Sequence, residues 1–390
     1  MAGFPGNKVF MTDWREQWFE FEDATYLNAA AQAPLPRVAL QAAARALEYK
    51  KFPHTIPENA YFDLPNRIRT SLAKLIGGAA GEIAINTGTS SGLAAVAAGL
   101  EWTPGDEVLV ARGEFPAHFA TWLPMQRACG LKVIVVEPRA RFLTADDFIA
   151  HLGSRTRLVS TSLVRFDDGV RIDAARLARA CHQAGALLLL DAAQCAGAMP
   201  IDVRALGVDF LVASGYKWLL SPYGTGFFWA RAEWIEQVRP GPFYWMALED
   251  AEKFHTLSTG NYKMAKGARR WDSPETASFT NLAAMEASLA LLLRIGVEAV
   301  WEHGRRLTSL MIDRLPRDRC VLASPASADA RGTYACLAAR KPEKTRQWYE
   351  KLRDAQVFVS LREGALRISP HLYNSERDMD RLLAVLADER

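Results

Sequence analysis

The stretch ALLLLDAAQ (186–194), with SGYKWL (214–219) a short way downstream, decides how this chain is read. Four consecutive leucines leave no polar face, so the run suits a strand buried on both sides, and Asp191 arrives where such a strand would end. Taken alone, an acid there is commonly a cap or turn residue, and a lysine beside a tryptophan, as Lys217 is, commonly lies on the surface. In this order they form a telling pair. The amine can condense with an aldehyde, and the carboxylate can keep a pyridine nitrogen protonated, which is what pyridoxal phosphate chemistry requires.

Working outward, strand-like runs recur at EIAIN (82–86), DEVLVA (106–111), KVIVVE (132–137), RLVSTSLV (157–164), DFLVAS (209–214) and GFFWA (226–230), most of them separated by helical patterns. Apolar strands alternating with helices predict an α/β fold whose mainly parallel sheet is covered on both faces. Helical spacing also runs from about Leu35 to Tyr49 and from about Asp63 to Ile76, breaking at Gly77 and Gly78. Beyond Asn281 the helical run LAAMEASLALLLRIG (282–296) leads into a different rhythm. There CVLASP (320–325), TYACLAA (333–339), QVFVSL (356–361) and ALRISP (365–370) read as antiparallel strands, with helices at 343–354 and 376–388. The expected division is a large cofactor-binding domain at 31–281 and a smaller α+β domain built from 1–30 and 282–390. Pro240 to Lys266, rich in aromatic residues, glycine and charge, is expected to form a long loop or lid.

With 390 residues, 49% of them hydrophobic, the chain can bury one large core and a second, smaller one. Its 47 basic and 44 acidic residues nearly cancel, so charge gives no reason to expect nucleic acid or an anionic membrane as a partner. The five cysteines, at 129, 181, 195, 320 and 336, lack the spacing of a zinc site or a disulfide framework. No metal is expected, and a reducing cytoplasm fits best. The opening MAGFPGNKVFMTDWREQWFEF lacks the features of a secretory signal, and no run approaches the roughly 20 apolar residues that cross a bilayer. The 11 tryptophans are expected to help cover a subunit interface or a substrate pocket.

Between EIAIN and the small-residue helix LAAVAAGL (93–100) lies TGTSSG (87–92), a strand, glycine turn and helix of the kind that binds phosphate. Thr89 and Ser90 offer hydroxyls and the glycines allow close backbone approach, although a simple helix cap uses the same residues. Neither GxGxxG nor GK[ST] is present, which argues against a nicotinamide or nucleoside triphosphate site. In GEFPAHF (113–119) Phe115 can lie over a cofactor ring, and His118 reads either as a proton carrier or as a hydrogen-bonded structural histidine. Ser214 and Tyr216 add hydroxyls beside Lys217, and Gln194 can donate to a phenolate oxygen. In LREGALRISPHLYN (361–374) the Arg367 fork matches a carboxylate, as recognition of an α-amino acid requires.

Together YLNAAAQAPLP (26–36), TGTSSG, GEFPAHF, LLLLDAAQ, SGYKWLLSPYGTG (214–226) and LRISPHLYN (366–374) resemble the class V aminotransferase family of pyridoxal-phosphate enzymes over nearly the whole chain. That group, of fold type I, includes cysteine desulfurases, isopenicillin N epimerase-like proteins and kynureninases. The resemblance implies that Lys217 forms the imine with the cofactor and then moves the Cα proton. By the same resemblance, Asp191 pairs with the ring nitrogen, Gln194 with the phenolate, and Thr89, Ser90, Ser214 and Tyr216 with the phosphate, while Phe115 stacks on the ring. Arg367, with His118 among the candidate contacts, binds the substrate. RRWDSPETAS (269–278) matches a loop that completes the partner subunit's phosphate site, with Ser273 as a ligand, implying a homodimer with its active site at the interface.

Two departures narrow the reaction. Cysteine desulfurases carry a nucleophilic cysteine just before the carboxylate-binding arginine, yet 356–367 contains none. Phe166 stands where they place an asparagine. The expected activity is therefore aminotransferase-like, or a C–S or Cα–Cβ lyase, on a small α-amino acid. Desulfuration without the loop cysteine and a non-catalytic scaffold are the alternatives.

Overall fold

The computed structural model describes residues 14–256, 262–276 and 278–388; most of the stretch read for a signal, 1–13, and 257–261 of the expected loop lie outside them. After β1 (Thr25–Tyr26) the chain runs through β2 (Ile83–Asn86), β3 (Glu107–Ala111), β4 (Lys132–Val136), β5 (Thr156–Ser162), β6 (Leu187–Asp191), β7 (Phe210–Ser214) and β8 (Gly226–Ala230). The strands β2 to β8 form one sheet in the order β2-β8-β7-β6-β5-β3-β4. The run from β4 to β7 is parallel, and β8 alone is antiparallel to its neighbours β7 and β2.

The leucine run explains why the sheet is covered on both faces. Leu188 and Leu190 enter one core with Leu211, Ala213, Phe227 and Trp229. Leu187 and Leu189 enter the core opposite, with Phe210, Val212, Phe228 and Ala230. Strand side chains alternate between faces, and each fully buried leucine contributes roughly 1.5–3 kcal/mol, so a slip by one residue would gain nothing here and would misplace Asp191. The edge at β2 is covered by the loop at 271–273. Ile85 N donates to Asp272 Oδ1 at 2.8 Å, Ser273 N donates to Ile85 O at 3.0 Å, and Asp272 forms a buried ion pair with Arg69.

The second core gathers Leu27, Leu307, Met311, Leu337, Trp348, Leu366 and Leu382. Its sheet runs β12-β13-β10-β9, all antiparallel, from β9 (Cys320–Leu322), β10 (Ala335–Ala339), β12 (Ser360–Arg362) and β13 (Ala365–Ile368). The run QVFVSL, expected as one strand, serves two partners instead: β11 (Val357–Phe358) pairs in parallel with β1, and β12 joins β13. This pairing and Leu27 tie part of the N-terminal segment to the smaller unit, while Phe19, Ala29 and Ala30 pack in the main core.

The boundary at 281/282 is corrected. It falls inside one continuous helix, Phe279–Ile295, whose Leu282, Met285, Leu289 and Leu292 pack in the main core with Leu64, Ile68 and Leu72. The next helix, Val297–Asp313, begins at Gly296 with φ of 88° and was not separated in the sequence reading. Its Val300 and Trp301 belong to the main core and its Leu307 and Met311 to the second, so the changeover lies within this helix.

Gly226 is where this packing meets the site. A Cβ there would lie 2.6 Å from Gly88 Cα and 2.6 Å from Ala213 O, both backbone atoms. Gly226→Ala is expected to cost about 1–3 kcal/mol in denaturant unfolding and to displace the turn before Thr89; unchanged stability would show that the two segments part easily.

Candidate active site

At the carboxyl ends of β6 and β7 lies a cavity lined by Thr89, Ser90, Phe115, Asp191, Gln194, Ser214, Tyr216 and Lys217, joined by Ser162 and Phe166. Adjacent parallel strands deliver Asp191 and Ser214 to the same edge, where open α/β sheets place their ligands. Gly88, at φ of 147°, turns the chain from β2 into the helix Thr89–Gly99. The start of that helix is laced to β7: Thr89 N donates to Ser214 Oγ at 3.0 Å, and the two hydroxyls are 3.1 Å apart. Hydroxyls and a helix N-terminus thus converge, a setting that favours an anion.

Asp191 is buried and oriented by its neighbours. Its Oδ1 accepts from Ala193 N at 2.7 Å and from Thr89 Oγ1 at 3.4 Å. Gln194 is held by donating to Ala30 O at 3.1 Å and accepting from Trp218 Nε1 at 3.0 Å. Its amide nitrogen carries a second hydrogen for a ligand. Phe115, the N-cap of the helix Pro116–Cys129, is 39% exposed and meets Phe166 edge to face at 5.2 Å. The Lys217 Nζ lies 5.4 Å from the ring centroids of both Phe115 and Tyr216.

Burial lowers the pKa of Lys217 to about 8; Asp191 opposes the shift, and the charges of Arg367 and Arg362 add to it. Lysine in water titrates near 10.4, so this amine is unusually ready to be neutral. Its backbone is pinned from both sides. Ala33 N donates to Tyr216 O at 2.9 Å, and His371 Nε2 lies 3.2 Å from Trp218 O. His371 accepts from Leu372 N through Nδ1 at 2.7 Å, and burial pushes its pKa down to about 4, so the neutral ring donates from Nε2.

Arg367, on β13, is buried with Nη1 on Phe166 O at 2.9 Å and Nε without a hydrogen-bond partner. Among the described residues no carboxylate lies within ion-pair distance of it. A buried guanidinium without a counterion is costly, and a ligand carboxylate would relieve it.

His118 is placed otherwise than expected. Its ring is fully buried behind Asp191, with Nε2 3.7 Å from Asp191 Oδ2 and Nδ1 2.9 Å from Ser160 Oγ, so it does not face a substrate. It sits on the inner face of its helix, and the Asp191 carboxylate stands between it and the cavity. Ser273 is outside its own chain's cavity, bonded to the β2 edge. The sequence reading missed Glu114, Ser160 and Ser162, although polar residues at alternate positions of a buried strand, Ser160 and Ser162 on β5, were a signal. Ser162 Oγ donates to Glu114 Oε1 at 2.5 Å.

The amine, the carboxylate, the aromatic face and the hydroxyl cup suit pyridoxal phosphate, while Arg367 does not line this cavity itself and is bonded to its wall through Phe166 O. A family model for class V aminotransferases matches residues 25–382. An uncharacterized aminotransferase of Bacillus subtilis, YcbU, is 29% identical over 311 residues, 80% of each chain. Isopenicillin N epimerase of Streptomyces clavuligerus is 27% identical over 383 residues, 92% of this chain and 93% of its own. Among solved structures, the cystine C–S lyase C-DES with its product cysteine persulfide has a TM-score of 0.85 at 24% identity, covering 94% of this chain and 98% of that one, a likeness of fold. With nearly the whole chain matched and the fold in agreement, this protein belongs to the class V aminotransferase family.

Proposed function

We propose that this class V enzyme, whose cofactor is pyridoxal 5′-phosphate, acts on a small α-amino acid held by Arg367 and worked on by Lys217. The observation that carries the reading is that Lys217 and Asp191 line one cavity, from the ends of neighbouring strands, with Phe115 and the hydroxyl cup around it. When bound, the cofactor supplies an aldehyde for imine formation and an aromatic ring that spreads negative charge from Cα. Thr89, Ser90, Ser214 and Tyr216 are assigned to its phosphate, Gln194 to its phenolate oxygen, Asp191 to its ring nitrogen and Phe115 to its face.

Lys217 then does the proton work. Near pH 8 its amine is present in both forms, so Nζ can take a proton from the substrate Cα and return it elsewhere. Arg367 fixes the substrate carboxylate as a planar fork, which sets the bond at Cα that stands ready to break. The reading excludes persulfide transfer of the usual desulfurase kind. No cysteine occupies 356–367, and Cys336, opposite Arg367 in the β10–β13 register, has its thiol pushed up to about 12 by burial. An aminotransferase or lyase outcome is favoured instead.

A homodimer is part of the proposal. Ser273 lies off its own cavity, which suits a ligand offered to the partner subunit. Phe243 at 81% exposure and Tyr223 at 73% are large apolar groups that a partner would cover. Among the described residues no helix is long and apolar enough to cross a membrane, and the five cysteines are free, which supports a reducing compartment such as the cytoplasm.

Purified protein with pyridoxal phosphate should absorb in the visible, and borohydride should fix the cofactor to Lys217; protein that stays colourless would end the proposal. Lys217→Ala should abolish turnover while cofactor still binds. In cofactor-free protein the rate of borohydride-trapped labelling at Lys217 should rise with pH through a midpoint near 8 and level off about one unit higher, because the lowered pKa makes the reactive neutral amine available there. A rate still climbing beyond 10 would show an ordinary lysine. Arg367→Ala should lower kcat/KM about 30- to 100-fold, as loss of a charge-assisted pair of about 2–3 kcal/mol implies, with Arg367→Lys recovering only part. Equal activity of all three arginine-site proteins would remove the carboxylate from Arg367.

A further inference from the structure

The mechanism leaves unused a line of buried charged groups behind Asp191. His118 is fully buried, and its Nε2 has no hydrogen-bond partner among the described residues; the polar atom it faces is Asp191 Oδ2, 3.7 Å away. The other end of the ring is fixed: Nδ1 lies 2.9 Å from Ser160 Oγ, which accepts from Trp122 Nε1 at 3.0 Å. Behind the histidine sits Glu114, also buried. It accepts from Phe115 N at 3.0 Å, Thr161 Oγ1 at 3.1 Å, Ser162 N at 2.9 Å and Ser162 Oγ at 2.5 Å. An apolar side chain would fill the place of His118 without an incompletely bonded ring nitrogen in the core.

We propose that His118, backed by Glu114, is a positioning residue that holds the Asp191 carboxylate for the ring nitrogen of the cofactor and tunes how strongly that nitrogen keeps its proton. The proposal rests on the cofactor reading above. Asp191 Oδ1 is already taken by Ala193 N and Thr89 Oγ1, so the His118 ring, with Nε2 3.7 Å from Oδ2, is the group placed to orient the other oxygen. Charge is arranged in alternation: Arg165, Glu114, His118 and Asp191, with the cationic ring nitrogen next. Burial opposes charge on His118, but Glu114 and Asp191 outweigh it and raise its pKa above the ordinary value. Burial likewise opposes charge on Glu114, and His118, Ser162 and Arg165 outweigh it and lower its pKa. The charged groups facing His118 are thus Glu114 from the loop before its own helix and Asp191 from β6. Arg165 faces Glu114, and Lys217, Tyr216 and Cys195 face Asp191. Without Glu114 a cationic His118 would offset the charge of Asp191; with it, Asp191 keeps its full effect on the ring.

The test uses holoenzyme reconstituted with pyridoxal phosphate, in His118→Leu and Ser160→Ala, neither of which alters a group assigned to touch the cofactor. The visible band is titrated with pH, cofactor affinity is measured by reconstitution, and thermal melts report folding. His118→Leu should raise the midpoint of the band's titration by about one pH unit, because removing a positive charge near the cofactor favours its protonated form. Cofactor should bind about tenfold more weakly, the usual scale for losing a group that orients a ligand-holding side chain. Ser160→Ala should move both in the same direction by less. Folded variants that titrate and bind as the wild type does, even with lowered melting points, would reduce His118 to a packing role and overturn the proposal. If His118→Leu does not fold, the Ser160→Ala titration decides. Failure of the cofactor reading shows separately, as wild-type protein that never gains the visible band.

Discussion

Two opposite charges, the Lys217 ammonium and the Asp191 carboxylate, are held in one cavity without touching. Had they paired directly, the lysine would keep its proton and the acid would have nothing left for a ligand. Their separation leaves each incompletely satisfied, and an aromatic cofactor with an aldehyde near one edge and a basic nitrogen in its ring answers both needs. The rest of the large unit keeps this arrangement from collapsing. Hydrogen bonds from Ala193 N and Thr89 fix the acid, and hydrogen bonds to the carbonyls of Tyr216 and Trp218 fix the backbone on either side of the lysine.

That frame was legible because the constraint producing it is severe. A strand buried on both faces must be apolar at every position, so LLLLD announced both the parallel sheet and the place where its acid emerges. The glycine turn was legible for a similar reason, since a Cβ at Gly92 would lie 2.4 Å from Val212 Cγ1 on β7, and the close approach leaves no room for a larger residue. Arg367 could be placed by alternation. Leu366 and Ile368 point into the second core, so Arg367 between them faces the large unit.

Other features were set by contacts that a linear reading does not contain. His118 and Phe115 share one short motif, but Phe115 is the N-cap of the helix that Pro116 starts and lines the cavity, whereas His118, inside that helix, is fully buried beside Asp191. The domain boundary was drawn where the irregular 240–266 region gave way to a helix. The helix Phe279–Ile295 is nearly apolar, however, and its burial against the helices Arg37–Lys51 and Ala60–Ile76 keeps it with the first unit. The buried residues of the helix Val297–Asp313 form one stripe whose first part, Val300 and Trp301, packs in the main core and whose second part, Leu307 and Met311, packs in the other, so its periodicity does not mark the changeover.

The placement of the two basic groups gives the fold its chemical logic. Lys217 belongs to the large unit and Arg367 to the small one, and the charge of Arg367 lowers the hold of Lys217 on its proton. A substrate that brings a carboxylate to Arg367 neutralises that charge at the same moment as it brings Cα toward Nζ. Binding at the remote carboxylate therefore changes the state of the catalytic amine: with Arg367 neutralised, one of the influences that depress Lys217 is removed, and its nitrogen becomes a stronger base just when a proton is to be taken. On the proposed reading, an arginine that never touches the breaking bond contributes to breaking it, and a substrate lacking the carboxylate would lose basicity at Lys217 as well as affinity.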